Sequence, residues 1–154
     1  MEIRHYQAED AQALTDIFYE TIHTVGLEHY TQAQVNAWAP LPVNYDYWRQ
    51  RLADLPPYVA VLGDQVVGFI TLTPAGHIEW TYTHRGYQRR GVASALYRYM
   101  EFQALNQGIC RLTVCASHFA RPFFAKQGFA VLHQNDTERD GQILVNWTME
   151  KYIS

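Results

Sequence analysis

Leu14, Ile17, Phe18, Thr21, Ile22 and Val25 fall at offsets of 3, 4, 7, 8 and 11 from the first, the spacing of one helical face, and Gly26 follows as a stop. A short strand, Ile3–Tyr6, precedes this helix. A second helix opens at Thr31, a residue suited to N-capping, and reaches Trp38 before Pro40 and Pro42 break it; a third covers Tyr45–Leu52. After Pro56-Pro57 the period drops to two. Tyr58–Leu62, Val66–Thr73 and His77–Thr83 are β-branched and aromatic runs, separated by Gly63-Asp64-Gln65 and Pro74-Ala75-Gly76, which reads as an antiparallel meander. Helical spacing returns in Val92, Ala95, Leu96, Tyr99 and Phe102, and ends at Asn106-Gln107-Gly108. Arg111–Ala116 reads as a buried strand, Phe119–Gln127 as a short helix stopped by Gly128, and Phe129–His133 as another strand. In the last strand Ile143, Val145, Trp147 and Met149 form an apolar face opposite Leu144, Asn146, Thr148 and Glu150.

Antiparallel strands followed by a strand, a crossover helix and a strand predict an α/β chain: a mixed sheet of six to seven strands with helices on both faces. No repeat or linker divides residues 1–154, so one domain is expected. With 48% apolar and 18% charged residues, the composition is that of a folded globular protein. The net charge is −3 and Arg89-Arg90 is the longest basic run, which argues against nucleic acid as a partner. Cys110 and Cys115 have neither metal-site nor redox spacing, and on a strand they point to opposite faces; Cys115 reads as a small buried side chain. No apolar run reaches 18 residues and the start of the chain has no signal-like segment, so a reduced cytoplasmic protein without a membrane partner is expected. The seven histidines show no ligand spacing, and no metal is expected.

The segment richest in chemistry is Tyr87-Gln88-Arg89-Arg90-Gly91-Val92-Ala93-Ser94, between a predicted strand and a predicted helix. The free N–H groups and dipole of a first helical turn attract an anion. Gly91 and Ala93 leave room for a phosphate, Arg89 and Arg90 add charge, and Ser94 adds a hydroxyl donor. Gln88-x-x-Gly91-x-Ala93 resembles the Q/R-x-x-G-x-G/A coenzyme A pyrophosphate loop of the GNAT superfamily of N-acetyltransferases. Ala120–Phe129 is similar to that family's short helix ending in Gly-Phe before a strand. His29–Pro40 is similar to a segment of a bacterial subgroup of small GNAT proteins.

The resemblance implies a GNAT fold, with a mixed, mostly antiparallel twisted sheet. It implies acetyl transfer from acetyl-CoA to an amine of a small molecule or protein, by direct attack on the thioester, in a monomer or homodimer. It places the cofactor on Tyr82, Thr83, Gln88, Arg89, Arg90, Gly91, Val92, Ala93 and Ser94, with Ser117 and Phe124 beside the pantetheine arm. The acetyl group then lies where the strand ending at Thr83 parts from Arg111–Ala116.

Such a reaction needs a proton acceptor for the ammonium and a proton source for the leaving thiolate. Glu79 is the expected base, since partial burial beside Trp80 and Tyr82 would raise its carboxyl toward neutrality; His77 and His84 are weaker candidates. The acid stays open. Phe124 stands where many relatives carry a tyrosine, leaving another tyrosine such as Tyr82, the Cys115 thiol, Ser117, water or no acid at all; loss of the acid also fits a non-catalytic acyl-CoA sensor. Ser117 either contacts the cofactor or caps the next helix. Tyr30, Trp38 and Trp48, with Glu79, are the expected acceptor-binding residues, their rings offering faces to a cation.

Overall fold

The computed structural model describes residues 1–154. Its strands are β1 (Glu2–His5), β2 (Tyr58–Leu62), β3 (Gln65–Leu72), β4 (His77–Thr83), β5 (Arg111–Ala116), β6 (Ala130–Arg139) and β7 (Gln142–Tyr152). Its helices are α1 (Ala11–Thr24), α2 (Gln32–Trp38), α3 (Tyr45–Asp54), α4 (Val92–Asn106) and α5 (Arg121–Lys126). The strands form one sheet in the order β1-β2-β3-β4-β5-β7-β6. Every neighbouring pair is antiparallel except β4 and β5, as a crossover through α4 requires. This is the mixed, mostly antiparallel α/β sheet expected.

Each face carries its own core. Leu96, Met100 and Phe124 from α4 and α5 pack on Ile70, Leu112 and Val114. Leu14, Val35, Trp48 and Leu52 from α1, α2 and α3 pack on Val59, Phe69 and Trp80 on the other side. α2 is short but well fastened: Thr31 Oγ1 accepts the Gln34 N–H at 3.1 Å and Gln34 Oε1 accepts the Thr31 N–H at 2.9 Å, a reciprocal cap. No helix is long and apolar enough to cross a membrane.

Two departures from regular pairing create the space in the molecule. Pairing of β3 with β4 passes from Ile70↔Thr81 to Leu72↔Ile78, so β4 carries one extra residue at Glu79–Trp80. This bulge flips the strand's facing. Ile78 points to the α4 side, while Trp80 and Tyr82 point to the α1–α3 side. Immediately afterwards β4 leaves β5: the two are paired only at His77↔Thr113 and Ile78↔Val114.

Three expectations are corrected here. β5 is not buried throughout; Leu112, Val114 and Ala116 are buried, while Arg111 and Cys115 are exposed. The strand expected to stop at His133 continues to Arg139, because an antiparallel partner supplies the hydrogen bonds that its polar side chains do not advertise. At the start of β7 it is Leu144 that is buried and Ile143 that is 48% exposed, since Gln142–Asn146 pairs with β6 alone and twists out of the sheet.

Candidate active site

The turn between β4 and α4 is built from left-handed residues. Gly91 caps α4 at φ 82° and Arg89 has φ 61°. The first helical bond is Ala95 N–H to Gly91 O at 3.0 Å, and none of the N–H groups of residues 88–94 has an acceptor within the protein. A Cβ added to Gly91 would meet nothing within 4 Å, so the space over these amides is open. Gln88 turns inward and donates from Nε2 to the Thr83 carbonyl at 2.7 Å, a carbonyl that Thr21 also reaches at 3.0 Å. Arg89 and Arg90 are exposed, with the Arg90 guanidinium 5.3 Å over the Tyr87 ring. Val92 is buried in the core, leaving only its N–H to the loop, and Ala93 and Ser94 are half-buried beside it.

The gap between β4 and β5 opens into a cleft of about 690 Å³. At its floor a small cavity of about 50 Å³ is bounded by Ile78, Val114, Ala116 and Phe124. Glu79, on the bulge, lines both. Its carboxylate lies 3.6 Å from Arg51 and 3.9 Å from His77, whose Nδ1 is 2.8 Å from Thr113 Oγ1. The partial burial expected of Glu79 beside Trp80 and Tyr82 takes the form of a place on the bulge at the rim, where its side chain is 37% exposed.

The aromatic wall differs from expectation. The Arg51 guanidinium sits 4.8 Å over the Trp80 ring and 5.6 Å over Trp48, so the protein's own cation covers those faces. Trp48 is buried against Phe18 and Trp80. Tyr30 is buried and its hydroxyl is fully used, donating to the Val145 carbonyl at 2.8 Å and accepting the His118 N–H at 2.9 Å. Trp38 stands half-buried at the cleft, edge-on to Tyr30 and tilted on Phe119.

Tyr82 lies among Phe18 and Phe69 and reaches the cleft. Burial pushes its hydroxyl well above the ordinary phenol range, with the Trp38 indole opposing, so it is a protonated donor at neutral pH. The Ser117 hydroxyl accepts the Ala120 N–H at 3.2 Å in the turn that leads into α5, whose own N-cap, Ala120, carries no side-chain cap. Phe124 is fully buried and offers the cavity a ring edge but no proton. Cys115, expected to be buried, is exposed and faces the cleft, 3.9 Å from Thr148 Oγ1, because β5 alternates there. The His118 ring, three residues further on, is pushed below its ordinary value by burial, by His29 and by Arg121.

Two charged cleft residues escaped the sequence reading. Arg51 falls on the polar side of a helical repeat, and Arg139 lies in a polar run; neither stands in a motif. The Asp140-Gly141 pair after Arg139 was the available signal, since Asp-Gly is a preferred hairpin turn.

A family model described as an acetyltransferase (GNAT) domain matches residues 26–151. The chain belongs to the GNAT acetyltransferase family. It is an acetyl-CoA-dependent N-acetyltransferase. Among curated GNAT relatives, the uncharacterized N-acetyltransferase YafP of Escherichia coli (strain K12) is 35% identical over 149 residues, covering 97% of this chain and 94% of the relative. A GCN5-related N-acetyltransferase from Rhodopseudomonas palustris superposes with a TM-score of 0.92 at 33% identity, covering 99% of this chain and 95% of that one. YncA from Salmonella typhimurium, a GNAT structure solved with its cofactor acetyl-CoA, shares the fold at a TM-score of 0.74 and 18% identity, over 100% of this chain and 94% of its own.

Proposed function

We propose that this GNAT enzyme, acting as a single domain, transfers the acetyl group to a primary amine of a small molecule or protein in one direct displacement. The observation that carries this reading is the run of unpaired amides from Gln88 to Ser94, facing open space beside the gap between β4 and β5. Amides of 89–94 and the positive end of α4 suit a diphosphate, with Arg89 and Arg90 adding charge at the rim. Gln88 holds the loop against Thr83 and so keeps that cradle in line with the strand. The pantetheine arm follows the free edge of β4 at Tyr82 and Thr83 and passes Ser117 and Phe124.

Glu79 takes a proton from the acceptor ammonium, directly or through one water, leaving a neutral amine to attack the thioester carbon. The C–N bond forms, the C–S bond breaks, and the second proton shed by the attacking nitrogen reaches the departing thiolate through the Tyr82 hydroxyl, which passes one proton on and takes one up. Ser117 steadies the turn before α5 through its bond to the Ala120 N–H and orients the floor of the site. Trp38, with Tyr30 and Trp48 behind it, walls the acceptor.

Melting the protein with and without acetyl-CoA tests the first half: ligand at 100 times its Kd stabilises by about 2.7 kcal/mol, roughly 5–10 °C for a chain of this size. No shift at millimolar acetyl-CoA would refute the cradle. Free-thiol release with an amine panel tests the second half. Glu79→Gln is expected to lower kcat by roughly 10²-fold and to remove the acidic limb of the pH-rate profile, while the acetyl-CoA melting shift is kept. An unchanged profile would remove Glu79 from the role.

A further inference from the structure

Beyond the loop and the bulge, the cleft's charge balance is uneven. Glu79 already has Arg51 at 3.6 Å, and Arg51 is held there by the faces of Trp80 and Trp48. The remaining guanidinium is Arg139, which lines the same cleft and makes no hydrogen bond or ion pair with the protein. It sits at the end of β6, paired with Gln142 across a two-residue turn in which Asp140 and Gly141 have φ 48° and 78°, the geometry of a tight type I′ hairpin. On that strand Glu138 alternates to the opposite face, while Thr137 shares the face and also lines the cleft.

The hairpin is not a loose flap. Tyr30 Oη donates to the Val145 carbonyl and Gln34 Nε2 to the Ile143 carbonyl, both at 2.8 Å, so the arm is tied directly to the start of α2. Its charge is felt inside the cleft, where it draws down the Tyr82 hydroxyl against the effect of burial. A cleft with one neutralised carboxylate and one unanswered guanidinium disfavours a purely cationic acceptor such as a polyamine. It favours a molecule that brings its own anion.

Resting on the acetyl-transfer reading above, we infer that the acceptor carries a carboxylate beside its amine, and that Arg139 on the β6–β7 hairpin, with the Thr137 hydroxyl, is the specificity-determining site for that carboxylate. A guanidinium presents parallel N–H donors that match a carboxylate's two oxygens, and a fixed hairpin loses little freedom in offering them. The amine end then points toward Glu79 on the opposite wall.

The test uses the full chain, acetyl-CoA, and a panel in which amino acids are each compared with their own carboxamides and with 1,4-diaminobutane, read by thiol release. At least one amino acid should exceed its carboxamide by tenfold or more in kcat/KM. Arg139→Gln should raise KM for that amino acid by at least tenfold while leaving kcat and the carboxamide's KM within twofold, and Arg139→Lys should restore part of the loss. Arg139 is exposed and without partners, so the variants keep the fold, and an unchanged melting shift with acetyl-CoA checks that the cradle is intact. Carboxamides or the diamine matching every amino acid, an unmoved KM in Arg139→Gln, or no turnover of any member of the panel would each overturn the inference. Loss of the acetyl-CoA shift in the unaltered protein would instead overturn the transfer reading beneath it.

Discussion

Tyr30 holds three separate segments with one oxygen: its own loop before α2, the β7 carbonyl at Val145 and the His118 N–H at the end of β5. Removing the hydroxyl leaves a backbone donor and a backbone acceptor without their partner, which costs about 1–3 kcal/mol. Tyr30→Phe should therefore lower the unfolding free energy by that amount, read as a lower denaturant midpoint at unchanged slope, and raise KM for the acceptor more than for acetyl-CoA. Near the start of the chain Arg4 grips both oxygens of Asp10, at 2.8 and 2.9 Å, and the Gln7 N–H adds a third bond at 2.8 Å. Burial alone would raise the Asp10 carboxyl, but these bonds and the Arg4 charge outweigh it and hold it below the ordinary carboxylate range. A carboxyl lowered in the folded state lends stability above its unfolded value of about 4 and loses it as the pH falls further. Melting temperature should thus fall more steeply below about pH 4 in the native protein than in Asp10→Asn. Neither role was visible from residue type, because tyrosine hydroxyls and single ion pairs leave no periodic trace. Arg51 is the sharper case. It follows Arg49 and Gln50 on the polar side of the helix, and only folding of α3 against β4 brings it over Trp80.

At the scale of elements, Gly91 shows conformation and space acting separately. Its φ of 82° disfavours any side chain, while the surroundings of its Cβ position are empty. Gly91→Ala should cost about 1–2 kcal/mol of stability and little affinity. Gly91→Glu should fold with a similar penalty but bind coenzyme A at least tenfold more weakly by calorimetry, since it places bulk and negative charge over the free amides. Equal affinity in that variant would refute the placement. Most elements were legible: the amphipathic period of α1, the Thr31 cap of α2 and the meander β2–β4 were each announced by their residues. The β6–β7 hairpin was half missed. Asn135-Asp136-Thr137-Glu138-Arg139 has low strand propensity, and its extension is imposed by pairing with β7. The bulge at Glu79–Trp80 was also illegible, because one inserted residue in an apolar strand changes no local pattern, and it decides which side of the sheet Glu79 and Tyr82 face.

For the whole molecule the governing feature is the parting of β4 from β5. Strands β1–β4 on one side and β5, β7, β6 on the other share one sheet through the pairs His77↔Thr113 and Ile78↔Val114, helped by the Thr113 N–H to Gly76 carbonyl bond at 3.0 Å. Outside the sheet the Tyr30 contacts span the same divide. Hydrogen exchange should report this arrangement. Amides of Phe69 and Leu112, deep within each half, should exchange at the global limit, while those of Cys115 and Ser117, which face the gap, should exchange faster, through local opening, and slow markedly on addition of acetyl-CoA. Uniform protection without ligand would contradict it.

An arch of two blocks meeting over a narrow sill stands more firmly once a keystone is set. A long, thin cosubstrate lodged between the two strand groups would complete the missing ladder rungs with its own amides. The substrate would then serve for the duration of each turnover as a structural member, and its departure as spent thiol would return the frame to its looser state, ready for the next molecule.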